Sequence, residues 1–584
     1  MNNIGSRKSL DLYRNIWIGL ARNRRYSTFI SKEDLSTFER RLKNEGVTFL
    51  TCTLPNIGKG LDKYHSTSEW TPVADFQSDD SGLPIFMGNA IKDAIEGNSE
   101  AVDCVRQLSY IFYKLETNFD QDFITEHLSR FKEIDRQVGN IDFSPSMDLI
   151  DVARSYIWRI LCNSDPFDIR PCHGSGATAD MMKNHEKWHE LRYYQQLDDS
   201  FPYPEYFFFS PTHLSDELEK LEKSSLVDPQ ARVCLVPKDS RGPRIISCEP
   251  AALMYIQQGL MRKLYQVIEG HHLTRGFVNF TDQEINRGLA YSSSKTGEWA
   301  TLDLSDASDR VALKLVEYLF PPNWFEAFQA CRSKSTLLPN GEIVVLNKFA
   351  PMGSACCFPV EALVFWAIAL AGIRLRGLTS PVYVYGDDII VGTECSAVVM
   401  SCLESVGLLV NRDKSYSRGP FRESCGGDYH NQYDVTPVRL RKVPAVSHSS
   451  RSTDVEFCNQ LIAKFGEESV ARLISFIESQ YTVPFPRTFL GQIPCVLRTT
   501  LTSANDVFFR RRWNSNLQRY EHRVPQPYTK ALAIREAAWS ELLRKELTRE
   551  LRTGDPEKYA SPLAKVEAHM DPGVYAVDHS ANLK

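Results

Sequence analysis

The sequence predicts an α+β fold in which a small antiparallel sheet is backed by helices and the carboxyl-terminal part is mainly helical. Three observations predict it. Val382 to Tyr385 and Ile389 to Val391 are short apolar runs on either side of Gly386-Asp387-Asp388, the pattern of a tight hairpin. Trp299 to Leu304 reads as a strand, and Val311, Leu315, Tyr318 and Leu319 then recur at helical spacing. Tyr528 to Arg552 is rich in Ala, Leu, Glu, Lys and Arg and stops before Gly554-Asp555-Pro556, as a helix would. With 584 residues the chain is too long for one small core, and about 100 to 200 residues per domain suggests roughly three to four units.

From the amino end, residues up to about 228 read as α-rich, interrupted by proline and glycine loops at Pro166 to Gly176 and Phe201 to Pro211. The start, Met1 to Lys8, lacks the apolar stretch of a signal peptide. Arg232 to Val236 and Gly242 to Ile246 are β-rich runs joined by a basic turn, so Lys238, Arg241 and Arg244 should crowd together. Forked guanidinium donors and a compact ammonium suit a triphosphate, although a charge run can also be a solvated face. Ala251 to Ile268 reads as a helix.

Asp303 falls at the carboxyl end of its strand, where sheets covered by helices tend to place ligands. Ser305 or Asp306 is a natural helix N-cap, with Asp306 and Asp309 favoured there by the helix dipole. Met352-Gly353-Ser354-Ala355-Cys356-Cys357 is a small-residue loop leading, through Pro359, into an apolar helix over Ala362 to Ile373. Gly353 and Ser354 permit close backbone approach, either to a nucleotide or to a neighbouring sheet. The uncharged run is about twelve residues, short of the roughly twenty that cross a bilayer, so it reads as a core helix. Downstream, Asn411-Arg412-Asp413-Lys414-Ser415 carries a lysine able to protonate a leaving group.

Alternation along a strand would send Asp387 and Asp388 to opposite faces, and only a tight turn eased by Gly386 brings both to one place. Two neighbouring carboxylates repel, and a divalent cation with oxygen ligands is the simplest way to hold both ionised. Asp303, about eighty residues upstream, supplies the third carboxylate of a two-metal phosphoryl-transfer site. Such a strand-end aspartate followed by a hairpin pair is the arrangement of right-hand, template-directed polymerases. Phe508 to Trp513, with Arg519, Tyr520 and Arg523, sets arginines among rings, either for stacking on nucleic acid or as a helix with inward aromatics.

The formal charge of −5 argues against a generally basic nucleic-acid coat, but not against a local positive channel. The 14 cysteines show no CxxC pairs and no His/Cys zinc spacing, and read as reduced cytosolic thiols. Gly58-Lys59-Gly60 and Gly174-Ser175-Gly176 do not complete a GxxxxGK[ST] phosphate loop.

The strings TLDLSDASDR, PMGSACC, VYVYGDDIIV, NRDKS and GPFRESCGGDY, in this order, resemble the catalytic beta subunits of the RNA-bacteriophage (levivirus) replicases, which are RNA-directed RNA polymerases. FLTCTLPNIGKGLDKYHS (49 to 66) and HGSGAT (173 to 178) are also similar to that family. The resemblance implies a right-hand fold with an amino-terminal region and fingers over 1–228, fingers with the basic hairpin over 229–295, a palm over 296–445, and a mainly helical thumb and tail over 446–584; the polar composition after about Pro572 reads as a loose tail. It implies that Asp303, Asp387 and Asp388 hold two Mg²⁺ ions, with Mn²⁺ a substitute, and that Lys238, Arg241 and Arg244 meet the incoming ribonucleoside triphosphate. Phe421 to Gly427 would lie near the growing 3′ end. The implied partners are RNA template and product, the bacterial elongation factors Tu and Ts and, in some members, ribosomal protein S1; the implied location is the cytoplasm of the bacterial host.

Wider viral RNA polymerases place an aspartate five residues after the first, to read the ribose 2′-hydroxyl; here Ser308 stands there and Asp309 follows, and either could do the reading. Those enzymes also carry a Thr and an Asn after the small-residue loop, where this chain has Cys357 and Glu361. A reverse transcriptase is the nearest alternative, but Ser308 stands where its pattern places a ring that excludes the 2′-hydroxyl, and Gly386 departs from its Val, Ala or Met. A non-catalytic RNA-binding protein is the other alternative, and it leaves the three aspartates unexplained.

Overall fold

Short β-rich runs and long amphipathic runs sort into strands and helices largely where their periodicity places them. The computed structural model describes residues 5–116, 119, 121–183, 186–188, 192–208, 228–239, 242–443, 451–481, 485, 487–488, 496–498, 510–515, 519–529 and 568–577. The chain divides into two compact units, 50–437 and a second that joins 1–49 to 438–584.

In the larger unit the strands are, in chain order, β1 (Gln230–Asp239), β2 (Gly242–Cys248), β3 (Trp299–Leu302), β4 (Leu304–Ser305), β5 (Ser335–Leu337), β6 (Ile343–Val345), β7 (Val382–Tyr385), β8 (Asp388–Gly392), β9 (Leu409–Val410), β10 (Phe421–Ser424), β11 (Gly427–His430) and β12 (Tyr433–Asp434). The central sheet has the order β3-β8-β7 and is antiparallel throughout. One outer edge of β7 is met by Phe277 and Asn279, whose carbonyl and N–H pair with Val384. The other edge, at Thr301, pairs with Tyr416. A second sheet, β2-β1-β5-β6, contains the basic hairpin, and β10-β11-β12 form a third.

The helix Cys357–Leu375 backs the central sheet. Val360, Leu363, Phe365, Trp366 and Ile368 are all buried, so it is apolar around its whole circumference and belongs to the core. It packs against the helices Met147–Leu161 and Ser396–Ser405 and against β7. Ala251–Gly270 forms the expected helix, and Arg7–Ala21 through Tyr203–Tyr206 supply the α-rich amino-terminal region, which the two units share.

In the smaller unit Trp17 and Phe38 stack at 3.9 Å between the helices Arg7–Ala21 and Lys32–Glu45. Asn23 Nδ2 donates to the Ser469 carbonyl at 3.1 Å and Arg25 to the Lys464 carbonyl at 2.9 Å, tying the first helices to Arg451–Phe465 and Glu467–Glu478.

Three expectations are corrected. Neither Ser305 nor Asp306 caps a helix: Asp306 sits at φ +53°, a short 3-10 turn covers Ser308–Arg310, and the helix begins only at Leu313. The reason is tertiary, because Val311 and Ala312 run extended and the backbone of 311–313 pairs with that of 347–349. The carboxyl-terminal part is not mainly helical among its described residues. Besides two helices it contains β13 (Arg487–Thr488), β14 (Leu497–Arg498), β15 (Arg510–Asn514), β16 (Arg519–Thr529) and β17 (Ala568–Val577), the last three forming one antiparallel sheet. Arg510 to Trp513 is thus strand rather than helix, and Tyr528 closes a strand instead of opening a helix. Pro525 and Pro527 oppose a helix there, and the register shifts between Val524 and Gln526, around Pro525. Residues 530–552 lie outside the described residues. Pro572 falls within β17, so the chain is still paired past the point where a loose tail was expected.

Candidate active site

β3 ends at Leu302, and Asp303 follows in the break before β4. β7 and β8 turn through Gly386-Asp387, with Tyr385 opposite Asp388. Gly386 has φ +61°, and a Cβ there would stand 2.3 Å from Phe358 Cε2, so conformation and space both demand glycine. Positive φ at the first loop position alone is the II′ hairpin geometry that matches strand twist. Because β3 neighbours β8, the strand end and the hairpin turn bring Asp303, Asp387 and Asp388 to one end of the sheet.

Asp303 is held by the segment after β9. Asn411 Nδ2 donates to Asp303 Oδ2 at 2.9 Å, the Asn411 N–H donates to the Asp303 carbonyl at 2.9 Å, and the Asp303 N–H donates to Ser415 Oγ at 3.2 Å. Lys414 is half-exposed, with Nζ 3.9 Å from Asp303 Oδ2. Burial raises the Asp303 carboxyl above its ordinary range, with Lys414 and Asn411 pulling against it and Asp387 adding to it. Asp387 is exposed at the tip. Asp388 is pushed up to about 7 by burial first, then by Asp387, with a smaller push from Asp303.

A second hairpin supports Asp388. β10 and β11 are joined by Cys425 and Gly426, both at positive φ (49° and 72°), as in a I′ turn. Ser424 Oγ donates to Asp388 Oδ1 at 3.4 Å, and the backbone N–H of Cys425 favours the ionised Asp388 carboxyl. The turn of the Phe421 to Gly427 stretch therefore stands beside Asp388. Asn286 Nδ2 donates to the Asp388 carbonyl at 3.3 Å.

The remaining expected residues are placed less uniformly. Ser308 is partly exposed on the 3-10 turn. Asp309 accepts a hydrogen bond from Lys348 Nζ at 3.0 Å, and that ammonium is fully buried, 3.7 Å from the centroid of the Phe131 ring. Arg244 is exposed on β2, opposite Val236. The side chain of Lys238 and all of Arg241 lie outside the described residues. Gly353, at φ +124°, presses on the hairpin: a Cβ there would meet the Ser247 carbonyl oxygen at 2.3 Å. Ser354 Oγ donates to Gln257 Oε1 at 3.0 Å. In the chain alone this loop makes a close backbone contact with β2, the plainer of its two readings.

Sequence reasoning missed the grip of Asn411, although the NRDKS string contains it, and the placement of Glu361. Glu361 is buried, and burial with Asp387 and Asp309 nearby pushes its carboxyl well above the ordinary range; Cys357 Sγ lies 3.7 Å from its Oε2.

The three aspartates offer oxygen donors only, a set suited to Mg²⁺ or Mn²⁺. Among the described residues no three or more His, Cys, Asp and Glu side chains stand assembled as a ligand cage. The fit is therefore one of donor chemistry and convergence.

The family model for "RNA replicase, beta-chain" matches residues 89–451. The chain belongs to that RNA replicase beta-chain family. It is similar to the RNA-directed RNA polymerase subunit beta of Enterobacteria phage SP, with 32% identity over 66% of this chain and 65% of that one. It is similar also to those of Qbeta virus strain MX1 (34% identity, 52% of this chain, 50% of the relative) and Escherichia virus Qbeta (38%, 37% and 36%). The matches thus span two thirds or less of these relatives' lengths. Among solved structures, BmCPV RNA-dependent RNA polymerase at elongation state is similar at a TM-score of 0.37 and 10% identity, over 68% of this chain and 39% of that one, too slight a likeness to build on.

Proposed function

We propose that this chain is the catalytic subunit of an RNA-directed RNA polymerase that copies a single-stranded RNA phage genome. The 3′-hydroxyl of the growing RNA attacks the α-phosphate of a template-paired ribonucleoside triphosphate, a phosphodiester bond forms, and pyrophosphate leaves. The observation that carries this reading is the convergence of Asp303, Asp387 and Asp388 at one end of the β3-β8-β7 sheet.

Asp303, Asp387 and Asp388 would hold the ions. Two Mg²⁺ ions bound there would supply acidification of the 3′-hydroxyl and neutralisation of charge on the pyrophosphate. Asn411 and Ser415 keep Asp303 oriented, and Ser424 keeps Asp388 oriented. Lys414 gives its proton to the departing pyrophosphate oxygen. Arg244, with Lys238 and Arg241, binds the triphosphate, Ser308 or Asp309 reads the ribose 2′-hydroxyl, and the Gly353-Ser354 loop lines the nucleotide. Pairing geometry selects the base, and the protein positions the partners and offsets developing charge.

On this reading the fingers, palm and thumb divide near 229, 296 and 446, the subunit works with elongation factors Tu and Ts and, in some relatives, ribosomal protein S1, and it acts in the bacterial cytoplasm. The test is nucleotide incorporation on a defined RNA template with Mg²⁺, with and without Tu and Ts. Ribonucleotide incorporation supports the reading and a requirement for the factors supports the partners. Incorporation of deoxynucleotides instead, or no synthesis under any combination, overturns it.

A further inference from the structure

Arg106 lies in the helix Ser99–Tyr110, far in sequence from every motif described above, and its guanidinium is fully buried. It forms ion pairs with Asp62 of the helix Pro55–Thr67 and with Asp428 of β11, and its Nε donates to the Val435 carbonyl at 3.4 Å. The same guanidinium lies 4.8 Å from the centroid of the Phe421 ring, at the start of β10. One side chain thus touches both strands of the hairpin and the segment beyond it.

The surroundings add to that hold. Tyr110 Oη donates to Asp62 Oδ2 at 2.7 Å. His65, one turn beyond Asp62, stacks on Phe421 at 5.0 Å with planes 7° apart. The Asp428 N–H donates to Thr436 Oγ1 at 2.9 Å. The Asp62 helix also packs against the Arg412–Lys414 turn, which carries Lys414 and adjoins Asn411. Stretch 49–66, which had no chemical role in the sequence, thus supplies the floor beneath both grips on the aspartates.

We propose that Arg106 is a positioning residue for Asp388: by holding Asp428 and Phe421 against Asp62 it sets the height of the β10–β11 hairpin, whose Ser424 hydroxyl orients the Asp388 carboxylate. Two physical arguments carry it. A buried ion pair stabilises a fold little compared with apolar residues of the same shape, so this network is poorly explained by stability alone. A guanidinium has a rigid fork that fixes direction to both carboxylates, which a lysine cannot reproduce. The Ser424 bond to Asp388, at 3.4 Å, is already long, so a small rise of the hairpin breaks it. Loss of such outer support typically costs about 10- to 100-fold in metal affinity or activity.

The proposal rests on the polymerase reading, and the experiment separates the two. Wild-type chain, Arg106→Lys and Asp428→Asn are compared for Mn²⁺ binding by electron paramagnetic resonance, hydrogen exchange over 421–430, unfolding midpoint and single-nucleotide incorporation. The expected result for both variants is a folded chain with faster exchange at the hairpin, about tenfold weaker Mn²⁺ binding and about tenfold lower kcat, with the nucleotide KM within about twofold of wild type. Arg106→Lys or Asp428→Asn with wild-type Mn²⁺ affinity and kcat overturns the role of Arg106 while leaving the polymerase reading intact. Failure of both variants to fold overturns it too, since the network would then be structural alone. A wild-type chain that neither binds Mn²⁺ nor incorporates nucleotides overturns the underlying reading.

Discussion

Asn411 holds Asp303 twice, through its side-chain amide on Oδ2 and its backbone N–H on the carbonyl, each at 2.9 Å. The carboxylate at the end of β3 is therefore oriented by a residue 108 positions later in the chain. Removing the amide leaves the backbone bond intact, so the fold should survive while Asp303 gains freedom. Asn411→Ala should lower single-nucleotide incorporation by about tenfold, the equivalent of one oriented hydrogen bond to a charged group. Stopped-flow incorporation at saturating nucleotide checks it; an unchanged rate would remove Asn411 from the site.

Glu361 is buried, and burial first, with Asp387 and Asp309 adding to it, pushes its carboxyl well above the ordinary range and favours the neutral form. A neutral acid is closely mimicked by an amide. Glu361→Gln should keep the unfolding midpoint and incorporation within about twofold of wild type, whereas Glu361→Ala opens a cavity and should cost on the order of 2 kcal/mol. Chemical denaturation of both variants distinguishes them, and a Gln variant as damaged as the Ala variant would show that the ionised form matters.

His65 and His430 are both held below their ordinary value of 6.5, first by burial, and His430 is brought down to about 4 with Arg106 adding to the effect. The fold keeps His430 neutral down to about pH 4 while the unfolded chain protonates near 6.5, so its contribution is complete above pH 6.5 and is lost as pH falls toward 4, and His65 acts in the same direction. Between those limits His430 alone should contribute a slope of about 1.4 kcal/mol per pH unit. Denaturation of wild type and His430→Gln across this range checks it: the gap between them should narrow as pH falls, and a constant gap would contradict the assignment.

Gly386 combines a left-handed φ with contact on Phe358. Gly386→Ala should destabilise by about 1–3 kcal/mol. Adding Phe358→Leu should recover part of any loss due to the clash, because the backbone strain stays. Unfolding midpoints of the single and double variants test this, and a Gly386→Ala chain as stable as wild type would refute it.

The parts of the site that were legible in the sequence are those written in local pattern. Asp387 and Asp388 announce themselves because a Gly between β-rich runs permits few geometries, and Asp303 because a strand-to-helix change of period marks the strand end. The misplaced cap at Ser305 and Asp306 shows the limit: the local signal is real, but pairing of 311–313 with 347–349 overrides it. Lys348 on Asp309 and Arg106 on Asp428 are contacts across 39 and 322 positions, and no periodicity records them. The carboxyl-terminal strands were hidden by a helix-favouring composition around them, although Pro525 and Pro527 were visible.

The most direct test of the central claim is Asp387→Asn, which removes one exposed carboxylate without altering the turn. Mg²⁺-dependent ribonucleotide incorporation and RNA binding are measured side by side on the same preparation. The account predicts that incorporation falls at least about a hundredfold while RNA affinity stays within about twofold. Near-normal incorporation by the variant would contradict the assignment of Asp303, Asp387 and Asp388 as the metal-holding centre.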